Sequence, residues 1–258
     1  MTRLSIQLIV FGSRATDDLP GVLREVRAAG YDGAEIGEPT DTVDASTLRG
    51  YFDAAGLACS GYHTGYAAFL DTDRLTRVAE HMRTVEARHL MCSGVSRRDQ
   101  VDGYRESAKV LDAAGALLAD HGIRLCYHNH HWEFFDLGGG TRGMDILLEE
   151  TNPRHVACCF DVYWLACAGV DPAAYIGRHA DRLAVAHLKD GTFDSVAQRP
   201  DTFTELGNGA VTLVAAWDAI RPLAPDWATT EQDRTERTPG ESAAISARYA
   251  RQVLGIGN

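Results

Sequence analysis

"VACCFDV", residues 156–162, and "LAVAHLKD", residues 183–190, are the stretches that decide the fold. Each runs through apolar or small residues at consecutive positions and then ends on charge: Asp161 in the first, His187, Lys189 and Asp190 in the second. A strand with one wet face alternates apolar and polar residues. An unbroken apolar run is expected where both faces of a parallel sheet are covered by helices. Both segments meet that condition, because "DPAAYIGRHADR" (171–182) follows the first and "LVAAWDAIRPLA" (213–224) the second, each with helical spacing.

The alternation extends in both directions. Upstream, "LSIQLIV" (4–10), "DGAEIG" (32–37), "LACSGYH" (57–63), "HLMCSG" (89–94) and "IRLCYHN" (123–129) read as strands. Helix-like segments follow them at 17–30, 44–56, 72–86, 104–122 and 143–152. Downstream come "WATTEQD" (227–233) and a last helix over 239–255. Helices stop at "AAG" or "DHG", where glycine supplies the left-handed position that closes a helix. Eight strand–helix units predict a closed (β/α)8 TIM barrel, an α/β fold for which about 250 residues is an ordinary length. The competing doubly wound open sheet does not need eight units, and no glycine-rich phosphate loop follows the first strand. With no linker or composition break, residues 1–258 are expected to form a single domain.

Composition narrows the function classes. The formal charge of −11, from 36 acidic and 25 basic residues, gives neither nucleic acid nor anionic lipid a dominant positive field. No nucleic-acid or membrane partner is therefore expected, and no apolar run approaches the ~20 residues of a membrane span. "MTRLSIQLIVFGSR" is read as a first strand, not a signal peptide. Six cysteines without a C-x-x-C pair, mostly in apolar stretches, predict free thiols in a reduced, cytoplasmic protein.

In such barrels the chemistry sits at the C-terminal ends of the strands. Those ends carry Glu35, His63, the run His128–Glu133, Asp161, His187 with Lys189, and Glu231 with Asp233. Asp161 follows five apolar or small residues, and an unpaired buried carboxylate costs several kcal/mol. It therefore needs a cation, a strong donor or water, although a helix N-cap or a structural ion pair would serve too. His187 competes with a satisfied core histidine in the same way. One Asp, one His and one or two Glu at one point suit Mn²⁺, Mg²⁺, Co²⁺ or Zn²⁺ with positions open to substrate oxygens.

The strings "CYHNHHWEFF" (126–135), "CCFDVYWLACAG" (158–169), "AHLKDGTF" (186–193), "FTELGNGAV" (203–211) and "TTEQDRT" (229–235), in this order, resemble the sugar phosphate isomerase/epimerase family. These are xylose-isomerase-like barrels that also include inosose dehydratases and hydroxypyruvate isomerases. The resemblance covers nearly the whole chain and implies one divalent cation, Mn²⁺ first among the metals named. It implies as ligands Asp161, His187, Glu231 and a fourth residue from the fifth strand. Many relatives place a Glu where this chain has His128. Either Glu133, five residues on, folds back to the metal or His128 takes the position. Glu133 is preferred here because oxygen-rich sites suit the expected metals.

The expected chemistry is proton abstraction beside the carbonyl of a sugar or cyclitol, with the metal steadying an enediolate. Isomerisation, epimerisation and dehydration differ in where the proton returns. Glu231 is the first candidate base, with Glu133, His130 and Lys189 as further catalytic candidates. Lys189 is also expected to donate to a substrate oxygen, unless it merely pairs with Asp190 or Asp233. Glu35, His63 and His128 are expected to bind substrate hydroxyls. "HLKD" (187–190) is typical of the inosose dehydratase-like branch and tilts the reading towards keto-cyclitol or keto-sugar chemistry. Two rivals are a multi-zinc endonuclease on the same barrel, which the acidic charge opposes, and a non-catalytic sugar-binding barrel. The resemblance also implies that barrel faces are often paired, so a homo-oligomer is a further expectation.

Overall fold

The computed structural model describes residues 1–257. Its first half holds β1 (Arg3–Gln7), α1 (Arg14–Asp17), α2 (Leu19–Ala28), β2 (Gly33–Gly37), α3 (Ala45–Ala55), β3 (Ala58–Gly65), α4 (Thr72–Val85), β4 (His89–Ser93) and α5 (Val101–Asp120). There follow β5 (Arg124–His128), α6 (Gly143–Glu150), β6 (Val156–Asp161), α7 (Val162–Cys167), α8 (Pro172–Arg178) and β7 (Leu183–Leu188). A hairpin of β8 (Asp190–Asp194) and β9 (Arg199–Thr204) precedes α9 (Leu213–Ile220), β10 (Trp227–Thr230) and α10 (Pro239–Gln252). Strands β1 to β7 run in order around a closed parallel barrel, and β10 closes it between β7 and β1. The (β/α)8 architecture is therefore as expected. Among the described residues no helix is long and apolar enough to cross a membrane.

The strands place the site by their two-residue period. Cys126, Cys159 and Val185 belong to a cluster with Met91, Ala157 and Trp227 that is separate from the main core. His128, Asp161 and His187 lie two residues further along the same strands and so point to the same interior face. Apolar side chains thus form a dry plug beneath the polar group at the barrel's C-terminal end. The main core lies outside, where Leu4, Ile6, Leu90, Leu125 and Phe160 face helix residues such as Val22, Leu111 and Ile176.

Three departures from the expected elements have local causes. The first strand stops at Gln7, whose side chain accepts from Ile9 N at 2.5 Å and turns Leu8–Phe11 into a 3-10 helix. Helix α7 starts directly after β6 because Asp161 caps it. The β8–β9 hairpin lies between the seventh barrel strand and its helix, where mostly exposed, weakly alternating residues give no strand signal in the sequence.

Asp190 does not pair with Lys189. Its oxygens instead accept four backbone N–H groups, from Gly191 (2.9 Å), Gly207 (2.9 Å), Gly209 (3.0 Å) and Val211 (3.1 Å), which ties the loop before α9 to the hairpin. Glycine is required at 209, because a Cβ there would stand 2.2 Å from Asp190 Oδ1. Asp190→Ala is expected to destabilise the fold by at least about 2 kcal/mol, since each buried donor left unsatisfied costs roughly 1–3 kcal/mol. Denaturant titration measures this, and an unchanged midpoint would show that the loop is held by other contacts.

A concavity of about 1160 Å³ opens at the opposite, N-terminal end of the barrel. Its charges are largely matched: Arg49 meets Asp53 and Glu86, His89 meets Asp226, and Arg3 lies 3.8 Å over Trp227.

Candidate metal centre

His128, Asp161, His187 and Glu231, from β5, β6, β7 and the residue after β10, each offer one ligand atom, all within 4.8 Å of one another. All four are buried. Asp161 divides its two oxygens. Oδ1 accepts from Tyr163 N (2.8 Å) and Trp164 N (3.0 Å), so the N-cap reading of this residue holds. Oδ2 is buried with no hydrogen-bond partner, and so is His128 Nε2, 3.6 Å away. His128 Nε2 also stands 3.5 Å from Glu231 Oε2, which lies 2.5 Å from His187 Nδ1.

Buried polar atoms are nearly always satisfied, and two orphans that face each other call for a shared partner. Two imidazole nitrogens and two carboxylate oxygens around one point are a donor set for a divalent cation of borderline character. The electrostatics agree. Burial opposes charge on His128, yet Asp161 and Glu231 outweigh it and raise its pKa. Burial likewise works against the Glu231 carboxylate, but Lys189 and the two histidines hold its pKa well below the usual range. Protons on the imidazoles here neutralise the same carboxylates that a cation would.

The cluster contains His128 and not Glu133. Glu133 is wholly buried, with Oε1 accepting from Tyr127 OH (2.8 Å) and Oε2 from His130 N (2.8 Å). The preferred order for the fourth position is thus reversed in the geometry. The physical reason is that the 3-10 turn Trp132–Phe134 carries Glu133 back against its own strand, where burial needs both oxygens satisfied.

Lys189 is fully buried, with Nζ donating to Glu231 Oε1 (3.1 Å) and Asp233 Oδ1 (2.8 Å). It lies 4.6 Å over the Trp164 ring and 4.8 Å over Phe203. Burial disfavours its charge, but Glu231, Asp161 and Asp233 prevail and push the ammonium up to about 12. Lys189 is therefore a fixed cationic donor at neutral pH. His130 stacks on Trp132 at 3.9 Å and meets His128 edge-on at 5.0 Å, with its Nδ1 buried and unpartnered. Burial first, then the neighbouring His128, drives its pKa well down, which leaves a neutral ring beside the cluster. His131 stacks on Trp164 instead of reaching the cluster.

Glu35 and His63 lie behind the cluster. Glu35 is wholly buried, with Oε2 2.8 Å from His187 Nε2 and Oε1 2.8 Å from His63 Nδ1. Burial opposes its charge, yet His187 and His63 bring its carboxyl down to about 2. Each oxygen is engaged by one histidine, and the side chain has no exposed surface. Two neighbours were given no role from the sequence. Ser93 lies opposite His128 in the β4–β5 register, and its Oγ is 2.6 Å from His63 Nε2. Asn129 clasps the Asp161 backbone, with Oδ1 accepting from Asp161 N at 3.0 Å. Ser93 was open to discovery as a polar residue at a strand top. Asn129 points away from the cluster and gave no such signal.

The family described as xylose isomerase-like TIM barrel matches residues 23–253. An inosose dehydratase of Geobacillus thermodenitrificans is 23% identical over 278 aligned residues, covering 91% of this chain and 89% of that protein. Among solved structures, a sugar phosphate isomerase/epimerase from Parabacteroides distasonis superposes with a TM-score of 0.83 at 20% identity, covering 97% of this chain and 93% of the other. An IOLI protein with a bound zinc atom superposes at 0.75 and 15% identity, covering 98% of both chains.

Proposed function

The chain belongs to the xylose isomerase-like TIM barrel family, and on that footing we propose that it is a divalent-metal-dependent enzyme of the isomerase/epimerase type. It would act on a small sugar or cyclitol by taking a proton from the carbon next to a carbonyl. The observation that carries this reading is the buried pair of orphaned atoms, His128 Nε2 and Asp161 Oδ2, inside a four-residue donor set. His128, Asp161, His187 and Glu231 would hold the cation. When bound, it supplies positive charge against the negative charge that develops on two adjacent substrate oxygens.

The chain's own groups do the rest. Glu231 Oε1, the oxygen turned away from the histidines, accepts the substrate proton. Lys189 Nζ, held charged by Glu231 and Asp233, donates to a substrate oxygen and keeps Glu231 aligned. His130 Nδ1 is the second proton-handling atom, fixed by stacking on Trp132. Glu133 acts indirectly by pinning the His130 backbone. Trp164 and Phe203 screen Lys189 from water, which strengthens every charge interaction in the site. Two imidazoles in the donor set suit borderline ions, so Zn²⁺ stands beside Mn²⁺ among the candidate metals.

The inosose dehydratase relatives favour a second reading, in which the same abstraction is followed by loss of a hydroxyl group as water. One experiment addresses both. Candidate keto-sugars and keto-inositols are incubated in D₂O with the protein and Mn²⁺ or Zn²⁺. Deuterium at the carbon beside the carbonyl supports proton abstraction, and loss of water distinguishes the dehydratase. A purified chain that binds neither metal, and whose melting temperature ignores both, would instead support the non-catalytic sugar-binding barrel. Six buried thiols, all unpaired among the described residues, accord with a reducing cytoplasmic compartment.

A further inference from the structure

The metal-site reading leaves three neighbouring polar side chains unused, namely Glu35, His63 and Ser93 on β2, β3 and β4. They form an unbroken chain of contacts between the two histidines of the cluster. His187 Nε2 lies 2.8 Å from Glu35 Oε2, and Glu35 Oε1 lies 2.8 Å from His63 Nδ1. His63 Nε2 lies 2.6 Å from Ser93 Oγ, which in turn lies 3.4 Å from His128 Nδ1. The chain follows the barrel wall through neighbouring strands, since Gly37 pairs with His63, Gly65 with Ser93, and Ser93 with His128.

Resting on the metal reading above, we infer that Glu35 is a positioning residue that sets the tautomer of both histidine ligands, directly for His187 and through His63 and Ser93 for His128. An ionised carboxylate can only accept hydrogen bonds. Both imidazole nitrogens that touch Glu35 must therefore carry protons. The His187 Nε2–H donates to Oε2, which leaves His187 Nδ1, the atom turned to Glu231 and the cluster, as the free lone pair. The His63 Nδ1–H donates to Oε1, so in neutral His63 Nε2 is an acceptor. It accepts the Ser93 hydroxyl proton, and Ser93 Oγ can then accept from the His128 Nδ1–H. That leaves His128 Nε2 as the lone pair, and Nε2 is the unpartnered atom facing Asp161.

The polarity of the chain is thus consistent from end to end. Reversing any link would place a proton on one of the two nitrogens that face the cluster's carboxylates. Histidine ligands ordinarily donate their other N–H to a carboxylate or carbonyl, and loss of that partner costs roughly 10–100-fold in metal affinity. The unusual feature is that one carboxylate serves two ligands, one of them across two intervening side chains.

The test uses zinc calorimetry and the ¹⁵N spectrum of the histidine rings in the zinc-loaded protein, with Glu35→Gln, Ser93→Ala and Ser93→Thr. The unaltered chain should show a proton on His187 Nε2 and on His128 Nδ1. Glu35→Gln, whose amide must donate to one of its two histidines, should weaken zinc binding roughly 10–100-fold. Ser93→Ala should weaken it less and disturb the His128 ring while leaving His187 unchanged, and Ser93→Thr, which keeps the hydroxyl, should restore the original spectrum. A role confined to packing would not separate the two rings in this way. If Glu35→Gln proves unfolded by its melting curve, the Ser93 pair decides alone. Unchanged zinc affinity in folded Glu35→Gln, or a proton on His187 Nδ1 in the loaded protein, would overturn the inference and leave the metal site standing. Failure of the unaltered chain to bind either zinc or Mn²⁺ would overturn the site reading and this inference with it.

Discussion

Glu231→Gln is expected to remove nearly all turnover while leaving the fold in place. Glu231 is the most connected member of the cluster, with Oε2 at 2.5 Å from His187 Nδ1 and 3.5 Å from His128 Nε2, and Oε1 at 3.1 Å from Lys189 Nζ. The amide keeps the shape but brings two losses. It cannot take a proton, which costs about 10²–10⁴-fold where a general base is lost. It also withdraws one of the two carboxylates that would hold the cation, and with it part of the several kcal/mol of charge stabilisation a Lewis acid supplies. Lys189 keeps Asp233 as a partner at 2.8 Å, so the ammonium is not stranded. The check combines the rate of deuterium incorporation with a metal titration. Exchange within tenfold of the unaltered chain would remove Glu231 from the role of base.

The second large effect separates two residues five positions apart. His128→Ala is expected to weaken metal binding by more than the roughly 10–100-fold typical of an outer-shell loss, because it deletes a ligand atom. Glu133→Gln is expected to leave that affinity nearly unchanged. The glutamine carbonyl still accepts from His130 N, and its amide can donate to the Tyr127 oxygen, so each neighbour of Glu133 keeps one hydrogen bond. Alanine at 133 is the poorer probe. It would orphan a buried hydroxyl and a buried N–H, at about 1–3 kcal/mol each, and confuse instability with lost binding. Calorimetry with Mn²⁺ and Zn²⁺ on both variants gives the answer. A large loss in Glu133→Gln with His128→Ala intact would restore Glu133 as the ligand.

Much of this was legible in the linear chain because it rests on short-range rules. Strand positions follow from apolar runs such as "VACCF" and "LAVA", and polar ends follow from the burial those runs impose. Asp161 and His187 could be named because each ends such a run, and Glu231 because it stands at the end of the last strand. They meet within one cluster because a closed parallel barrel brings all its strand tops to one mouth. Glu133 could not be judged in the same way. It sits in a turn after the strand, and whether its carboxylate reaches forward to the cluster or back to Tyr127 depends on a 3-10 turn with no clear sequence mark.

The sequence by itself therefore determined the barrel, the end that carries the polar cluster and three of the four clustered residues, since periodicity and burial are properties of single strands. Only the tertiary structure decided that His128 completes the cluster, that Lys189 pairs with Asp233 and not Asp190, and that Glu35 lies behind His187 and not against open solvent. Each of those outcomes depends on which way a side chain turns once its neighbours on other strands have taken their hydrogen bonds. Such choices are settled between elements far apart in the chain, by the cost of leaving a buried donor or acceptor alone.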